Sequence, residues 1–311
     1  MNDLLHNVLI IKDGKDLFEK YVNTSIKEYG VDLLTWQDFI PPNSPLFQKV
    51  FCGIKKIKKL KMQGYFEKYD KIIVFEHTGI VVFLSLLANV KKNNLVLWLW
   101  NSKEKNEIKY VWWLKNFSRI YTFDYHQAQK YNWGYNNQFF LWADYNFPTI
   151  AGSNRSALFV GKNKKRLHIL TQIEKYLLNA NYTCDFNIYL DERERKDSFI
   201  KNEWVIKEML SYENVLRKIE KCSVIVDITK EGQFGLTLRV LEALFYKKKL
   251  ITNNKYICRF DFYNPNNIFV VGVDNWGEFD IFLESKLIEI SDEIKQKYRF
   301  ENWIDFFFKD K

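Results

Sequence analysis

Residues 227–244 read Asp-Ile-Thr-Lys-Glu-Gly-Gln-Phe-Gly-Leu-Thr-Leu-Arg-Val-Leu-Glu-Ala-Leu: the end of an apolar run, a polar loop with two glycines, then an amphipathic stretch. A glycine loop entering a helix presents free backbone N–H groups and the positive end of the helix dipole, which together make an anion site. Arg239, one turn into such a helix, adds a planar fork suited to a phosphate. Glu242 follows at i+3 on the same face, where its carboxylate can accept hydrogen bonds from sugar hydroxyls. A plainer reading has equal standing: Gly235 as an ordinary turn residue, and Arg239 with Glu242 as a surface pair.

A second feature is the run 53–62, in which Lys55, Lys56, Lys58, Lys59 and Lys61 alternate with apolar residues near Phe51 and Phe66. It reads either as a solvated helix face or loop, or as a surface that docks on anionic lipid, where each lysine contributes ~1 kcal/mol. Trp98, Trp100, Trp112 and Trp113 extend that contact, fill the core or stack on a sugar. The four cysteines, Cys52, Cys184, Cys222 and Cys258, form no CxxC pair and no Cys/His spacing of the kind a zinc site requires, and read as reduced thiols.

These residues need a scaffold. The chain has 311 residues, 47% of them hydrophobic and 17% aromatic, which excludes wholesale disorder and suggests two domains. With only 12 glycines and 5 prolines it is neither collagenous nor linker-rich. Short apolar runs alternate with longer amphipathic ones, the pattern of βα units around parallel sheets. Strands are expected over 7–11, 31–34, 71–75, 95–100 and 119–123, then over 157–160, 185–190, 223–228, 249–252 and 268–271. Helices are expected over 80–88, capped by Thr78, and over 166–178, 212–220, 237–246, 278–287 and 292–303. Periodicity lapses between 139 and 155, which places the boundary between a domain of residues 1–150 and one of residues 151–311.

The N-terminal apolar run is shorter than the ~7–15 residues of a signal peptide, and the longest one, 80–90, is shorter than the ~18–20 of a membrane span. The reading is a cytoplasmic protein whose membrane contact is peripheral, on the cytoplasmic face of the inner membrane. The formal charge of +9 suits nucleic acid, an anionic membrane or phosphorylated small molecules. Nucleic acid is set aside, because the basic run lacks arginine and no RNP, KH or helix-turn-helix pattern occurs. Neither half opens with G-x-G-x-x-G, so a dinucleotide dehydrogenase is also disfavoured.

The segment Gln233, Gly235, Leu236, Thr237, Arg239, Glu242, Ala243 and Leu244, followed by Lys248, Lys249, Leu250, Ile251, Thr252 and Asn254, resembles the donor-binding motif of GT-B glycosyltransferases of bacterial lipopolysaccharide-core and capsule synthesis. Residues 158–166, 261–267, 97–101 and 121–131 resemble further family segments in the same order. The resemblance implies two Rossmann-like domains facing each other across a cleft, with acceptor on the first and nucleotide sugar on the second. It implies a donor site of Gly161, Lys162, Arg166, Gln233, Gly235, Thr237, Arg239 and Glu242, with basic residues on the pyrophosphate. In the family's E-x7-E group seven residues lie between two glutamates, whereas ten lie between Glu231 and Glu242 here, so Glu231 is not carried over.

A transferase of this kind holds an acceptor hydroxyl in line with the anomeric carbon and places positive charge on the departing diphosphate. No D-x-D triplet occurs, so leaving-group charge falls to Lys162, Arg166, Arg239 and helix amides, without a metal or resident cofactor. An inverting enzyme needs a base, and the candidates are His77, Glu76 and Asp124, each at the end of an expected strand. His77 has the most suitable unperturbed pKa; each of the three also reads as a turn or cap residue. The expected reaction transfers a sugar, in its narrowest form rhamnose from dTDP-rhamnose, to a lipid-linked lipopolysaccharide-core or related glycan. A non-catalytic nucleotide-sugar or glycan-binding protein of the same fold is the alternative.

Overall fold

A computed structural model describes residues 7–14, 17–39, 45–76, 94–101, 119–142, 155–190, 202–230 and 232–309. In chain order the first elements are β1 (Val8–Lys12), α1 (Leu17–Glu28), β2 (Asp32–Thr35), α2 (Leu46–Met62), β3 (Lys71–Phe75), β4 (Leu95–Leu99), β5 (Arg119–Thr122), α3 (Tyr125–Tyr131) and β6 (Gly134–Tyr135). There follow β7 (Ser156–Lys162), α4 (Leu167–Asn179), β8 (Thr183–Tyr189), β9 (Val205–Ile206), α5 (Tyr212–Lys221), β10 (Val224–Asp227), α6 (Leu238–Phe245), β11 (Lys249–Thr252) and β12 (Ile268–Val270). Helices α7 (Phe279–Glu284), α8 (Asp292–Gln296) and α9 (Phe300–Lys309) close the chain.

Among the described residues the strands form two six-stranded sheets, ordered β2-β1-β3-β4-β5-β6 and β12-β11-β10-β7-β8-β9, with every pairing parallel. Parallel sheets are covered on both faces, and so β1, β4 and β10 are buried at every position. The chain divides into one unit of residues 1–137 with 303–311 and another of residues 138–302.

In the first unit the period of two sorts the side chains. Leu9, Ile11, Ile72, Val74, Leu95 and Leu97 meet Ile57 of α2 with Phe39 and Phe66 on one face. Phe75 and Trp98 point the other way, where α9 supplies the cover. Trp303 lies 5.1 Å from Trp98 and 5.8 Å from Phe75 between ring centroids, and Phe307 lies 5.1 Å from Tyr121. In the second unit Phe159, Phe186, Val224, Val226 and Ile251 pack with Leu170, Ile173 and Leu177 of α4 and with Phe279 and Phe282 of α7.

The expected boundary at 150/151 lies outside the described residues, and two features mark the division into units. Residues 138–142 join the second unit, where Phe139 packs on Phe300 at 5.1 Å and Phe140 stacks on Phe245 at 4.9 Å. The C-terminal aromatic helix returns to the first unit. The helix expected over 292–303 is also broken. Tyr298 is drawn out to donate its hydroxyl to Asp261 Oδ1 at 2.8 Å and to accept at its carbonyl from the Phe140 N–H at 2.7 Å, so α8 stops and α9 starts anew. Thr78 and the helix expected over 80–88 lie outside the described residues.

Two predictions follow from this packing. Trp303 is 1% exposed, and Trp303→Ala should lower the unfolding free energy by about 3–5 kcal/mol in urea titration. Lys249, at the start of β11, donates to the carbonyl oxygens of Phe282 and Asn266 and to Ser285 Oγ, and burial brings its pKa down to about 8. The unfolded chain then holds more protons than the folded one from about pH 8 to the ordinary lysine value of 10.5, so this group makes stability rise with pH across that window. The stability difference between wild type and Lys249→Met should move in favour of wild type over the same interval.

Candidate functional site

In a doubly wound sheet, ligands collect outside the carboxyl ends of the strands where the order reverses. The second unit runs outward from β7 to β8 and β9, then returns to place β10 on the other side of β7. The loops after β7 and β10 part at that point. With the end of β7 they hold residues 161–166 and 228–237, which fall within the segments 158–166 and 227–244 singled out in the sequence.

After β7, Lys164 and Lys165 take left-handed backbone angles, φ 41° and 63°, and turn the chain into α4 with Arg166 at its N-cap. A Cβ on Gly161 would lie 3.2 Å from Arg166 Nη1 and 3.2 Å from the Phe159 ring, so the missing side chain gives the guanidinium room. Arg166 Nη1 donates to the Lys162 carbonyl at 3.2 Å. Lys162 is exposed and its ammonium lies 6.0 Å from the Tyr189 ring. Among the described residues, Asn163 is buried with Oδ1 unpartnered, and Arg166 Nε is likewise buried without a partner.

After β10 the loop is pinned from its neighbour. Asn253 accepts from the Thr229 N–H at 2.8 Å and donates back to the Thr229 carbonyl at 3.2 Å, while Asn254 Nδ2 donates to the Phe234 carbonyl at 3.2 Å. Of the loop glycines, Gly232 carries the positive φ of 79°, whereas Gly235 is buried. Gln233 is half-buried beside them. Thr237 is the N-cap of α6 without a capping bond from its side chain.

The charged centre is Asp227, the buried last residue of β10. Burial raises its pKa, while the Thr237 hydroxyl, Arg166, Arg239 and Thr252 draw it down. The Thr237 hydroxyl lies beside this carboxyl without forming a well-shaped hydrogen bond. Burial lowers the Arg166 pKa, with Asp227 opposing it. Arg239 is paired with Glu242, and Glu242 is fully buried, accepting from Tyr212 Oη at 2.8 Å on its other oxygen. Burial works against the Arg239 charge but is outweighed by Glu242, Tyr212 and Asp227, so its pKa stands above the ordinary value. Glu242 itself is pushed up by burial, with Arg239 and Tyr212 opposing.

The structure thus brings Gly161, Lys162, Arg166, Gln233, Gly235, Thr237, Arg239 and Glu242 to one edge of the second sheet. In the pair Arg239–Glu242 the carboxylate is fully buried and the guanidinium half-buried, unlike the surface pair of the plainer reading. Glu242 has both carboxylate oxygens engaged inside the protein, one by the Tyr212 hydroxyl and the other by Arg239. Sequence reasoning missed Tyr212, Asn163, Asn253 and Asp227. An acid closing the run Val-Ile-Val-Asp was the visible signal for the last; nothing near Tyr212 points to a partner thirty residues away. Among the described residues, no three His, Cys, Asp or Glu side chains cluster as metal ligands would.

In the first unit Glu76 follows β3 at the carboxyl edge of the sheet. Asp124 is fully buried and caps α3, its Oδ1 accepting from the N–H groups of His126 at 3.1 Å and Gln127 at 3.2 Å. His77 lies outside the described residues, as do Trp112 and Trp113. Trp98 is a core residue, and Trp100 packs on Phe75 at 5.3 Å.

No protein-family model and no curated protein matches the sequence. Among solved structures, sucrose-phosphate synthase from Thermosynechococcus elongatus is similar at 12% identity, over 98% of this chain and 98% of that one, with a TM-score of 0.56. The apo form of the lipopolysaccharide outer core galactosyltransferase WaaB is similar at 13% identity over 97% of each chain, TM-score 0.51. UDP-GlcNAc 2-epimerase from Methanocaldococcus jannaschii is similar at 14% identity over 97% of this chain and 98% of that one, TM-score 0.51. At such identities the likeness is one of fold: the chain has the two-domain α/β GT-B fold.

Removing the Tyr212 hydroxyl leaves Glu242 short of one donor, and Tyr212→Phe should cost about 1–3 kcal/mol in chemical denaturation. Glu242→Ala strands the Arg239 charge inside the protein and should cost more, about 3–5 kcal/mol. A Tyr212→Phe effect that persists undiminished in the Glu242→Ala background would show that the hydroxyl does not act through this carboxylate.

Proposed function

We propose that the chain is a GT-B sugar transferase whose second unit binds the diphosphate of a nucleotide sugar at the β7/β10 edge. The observation that carries this reading is the set of buried polar atoms without partners, Arg166 Nε, Asn163 Oδ1 and Thr237 Oγ1, gathered at the sheet's reversal point with two guanidiniums around Asp227. A fold leaves such atoms unmatched at a cost, and an arriving ligand supplies what they lack.

In this reading Lys162, Arg166 and Arg239 take up the charge that develops on the departing diphosphate, assisted by the N–H groups that open α6. Glu242, clamped by Tyr212, aims Arg239 before the donor arrives, so little reorganisation is needed when the bond breaks. The first unit holds the acceptor. With the Asp124 carboxylate committed to capping α3, deprotonation of the acceptor hydroxyl falls to Glu76 or His77. The finer proposal, rhamnose from dTDP-rhamnose to a lipid-linked lipopolysaccharide-core glycan, rests on the order of motif residues from Gln233 to Asn254, and WaaB by name acts on such a core. Epimerisation of a UDP-sugar is a second reading, prompted by the epimerase among the structures of this fold.

A thermal-shift screen against UDP-, GDP-, CMP- and dTDP-sugars tests the proposal, because a ligand bound only by the folded state raises the Tm by mass action. One nucleotide class should raise the Tm. Arg239→Ala should abolish that rise and the release of nucleoside diphosphate with acceptor extract, while circular dichroism shows an unchanged fold. Turnover within a few-fold of wild type in this variant would remove Arg239 from the diphosphate site. Sugar inversion without nucleotide release from an acceptor-containing mixture would favour the epimerase, and binding without turnover would favour a non-catalytic binder.

A further inference from the structure

The lysine-rich run belongs to α2, a 17-residue helix with six lysines and no acidic residue. Its inner face is settled: Ile57 is buried in the first unit's core, with Ile54 and Leu60 packed against it. Lys55, Lys56, Lys58, Lys59 and Lys61 are exposed. Lys55, Lys56, Lys58 and Lys59 form no ion pair with any described residue.

The outward face carries more than charge. Phe51 is 67% exposed and Met62 is 88% exposed. At about 100° per residue, Phe51, Lys55, Lys58 and Met62 fall within about 60° of one another on the side away from Ile57, with Lys59 flanking them. Two large apolar side chains thus stand in the middle of a basic face, where they contribute nothing to the core. Single exposed apolar residues are ordinary, but a phenylalanine and a methionine bracketing unpaired lysines on one stripe match an interface that is anionic outside and apolar just beneath.

We propose that the outward face of α2 docks on an anionic phospholipid surface, the lysines meeting lipid phosphates and Phe51 and Met62 entering the headgroup boundary. Charge complementarity selects the partner's sign, and the apolar pair selects lipid over nucleic acid, whose recognition favours arginine, absent from α2. The lysine stems lie along the apolar boundary while their ammonium groups reach the headgroups. This contact stands independently of the sugar-transfer reading, since it uses neither the second unit nor any candidate base.

The test is co-sedimentation of the full chain with phosphatidylcholine vesicles, with and without phosphatidylglycerol, at low and high salt. The wild type should bind only the phosphatidylglycerol vesicles and be released by salt. The triple variant Lys55→Glu, Lys58→Glu, Lys59→Glu should lose affinity by more than about tenfold. Phe51→Gln with Met62→Gln should bind more weakly at every salt concentration while keeping the same dependence on salt. All these positions are exposed, and unchanged circular dichroism and Tm would show that the fold is intact. Absence of binding by the wild type, or equal binding by the triple variant, overturns the proposal. It is also overturned if a DNA or RNA oligonucleotide competes the protein off vesicles and its affinity ignores Phe51 and Met62, which would make α2 a nucleic-acid surface.

Discussion

The constraint on which the rest depends is the geometry of a parallel strand pair. Each β-strand must be returned to its starting edge by a crossover, and right-handed crossovers cover both faces of the sheet, leaving the carboxyl ends as the place where loops open to ligand. Where successive crossovers go to opposite sides, two loops diverge and nothing in the sheet fills the gap. In the second unit that gap falls between β7 and β10. Gly161, the left-handed pair Lys164–Lys165 and Asp227 all lie at it: a strand end without a side chain, a tight turn into α4, and a buried acid under the influence of two arginines.

The acid–base pair behind this edge is costly for a fold to keep. A carboxylate with no exposure loses its hydration, and replacing such a pair by apolar residues is often neutral or stabilising in proteins. Stability therefore does not account for Glu242. What its contacts provide is position: Tyr212 donates to one oxygen and Arg239 pairs with the other, which restrains the guanidinium. Trp142 packs 4.3 Å from the Tyr212 ring and limits the tyrosine in turn. The chain of contacts runs from an aromatic side chain of the connecting segment to the charge at the candidate site, within one unit.

Much of this was legible beforehand because it follows from local chemistry. Strands such as Lys71–Phe75 and Lys249–Thr252 appear where continuous apolar runs demand them, and the helix from 238 starts one residue after its threonine. The two-residue strands β6 and β9 were not visible, since a pair such as Gly134–Tyr135 has no period to read. Helix α3 hides behind a single cap, Asp124, and a left-handed Asn132 that ends it. The return of α9 to the first sheet was invisible for a different reason: Trp303 and Phe307 show an apolar helix face, but a face does not say which sheet it covers. The same limit hid Tyr212. Its burial could be guessed, whereas its partner depended on how α5 and α6 pack beside β10.

The three unpartnered atoms say something about what can complete the site. Arg166 Nε is a donor, Asn163 Oδ1 an acceptor, and the Thr237 hydroxyl either. A bare diphosphate in its fully ionised form offers acceptors alone, so it satisfies the arginine and the threonine and leaves the asparagine oxygen buried and unmatched, at a cost of about 1–3 kcal/mol. A ligand that satisfies all three must carry acceptor oxygens and hydroxyl donors a short distance apart. Phosphate esters of sugars have that pairing built in. In the proposed donor reading this mixed polarity suits a phosphate that carries hydroxyls better than a bare anion, with Asn163 as the acceptor that a bare anion leaves unmatched.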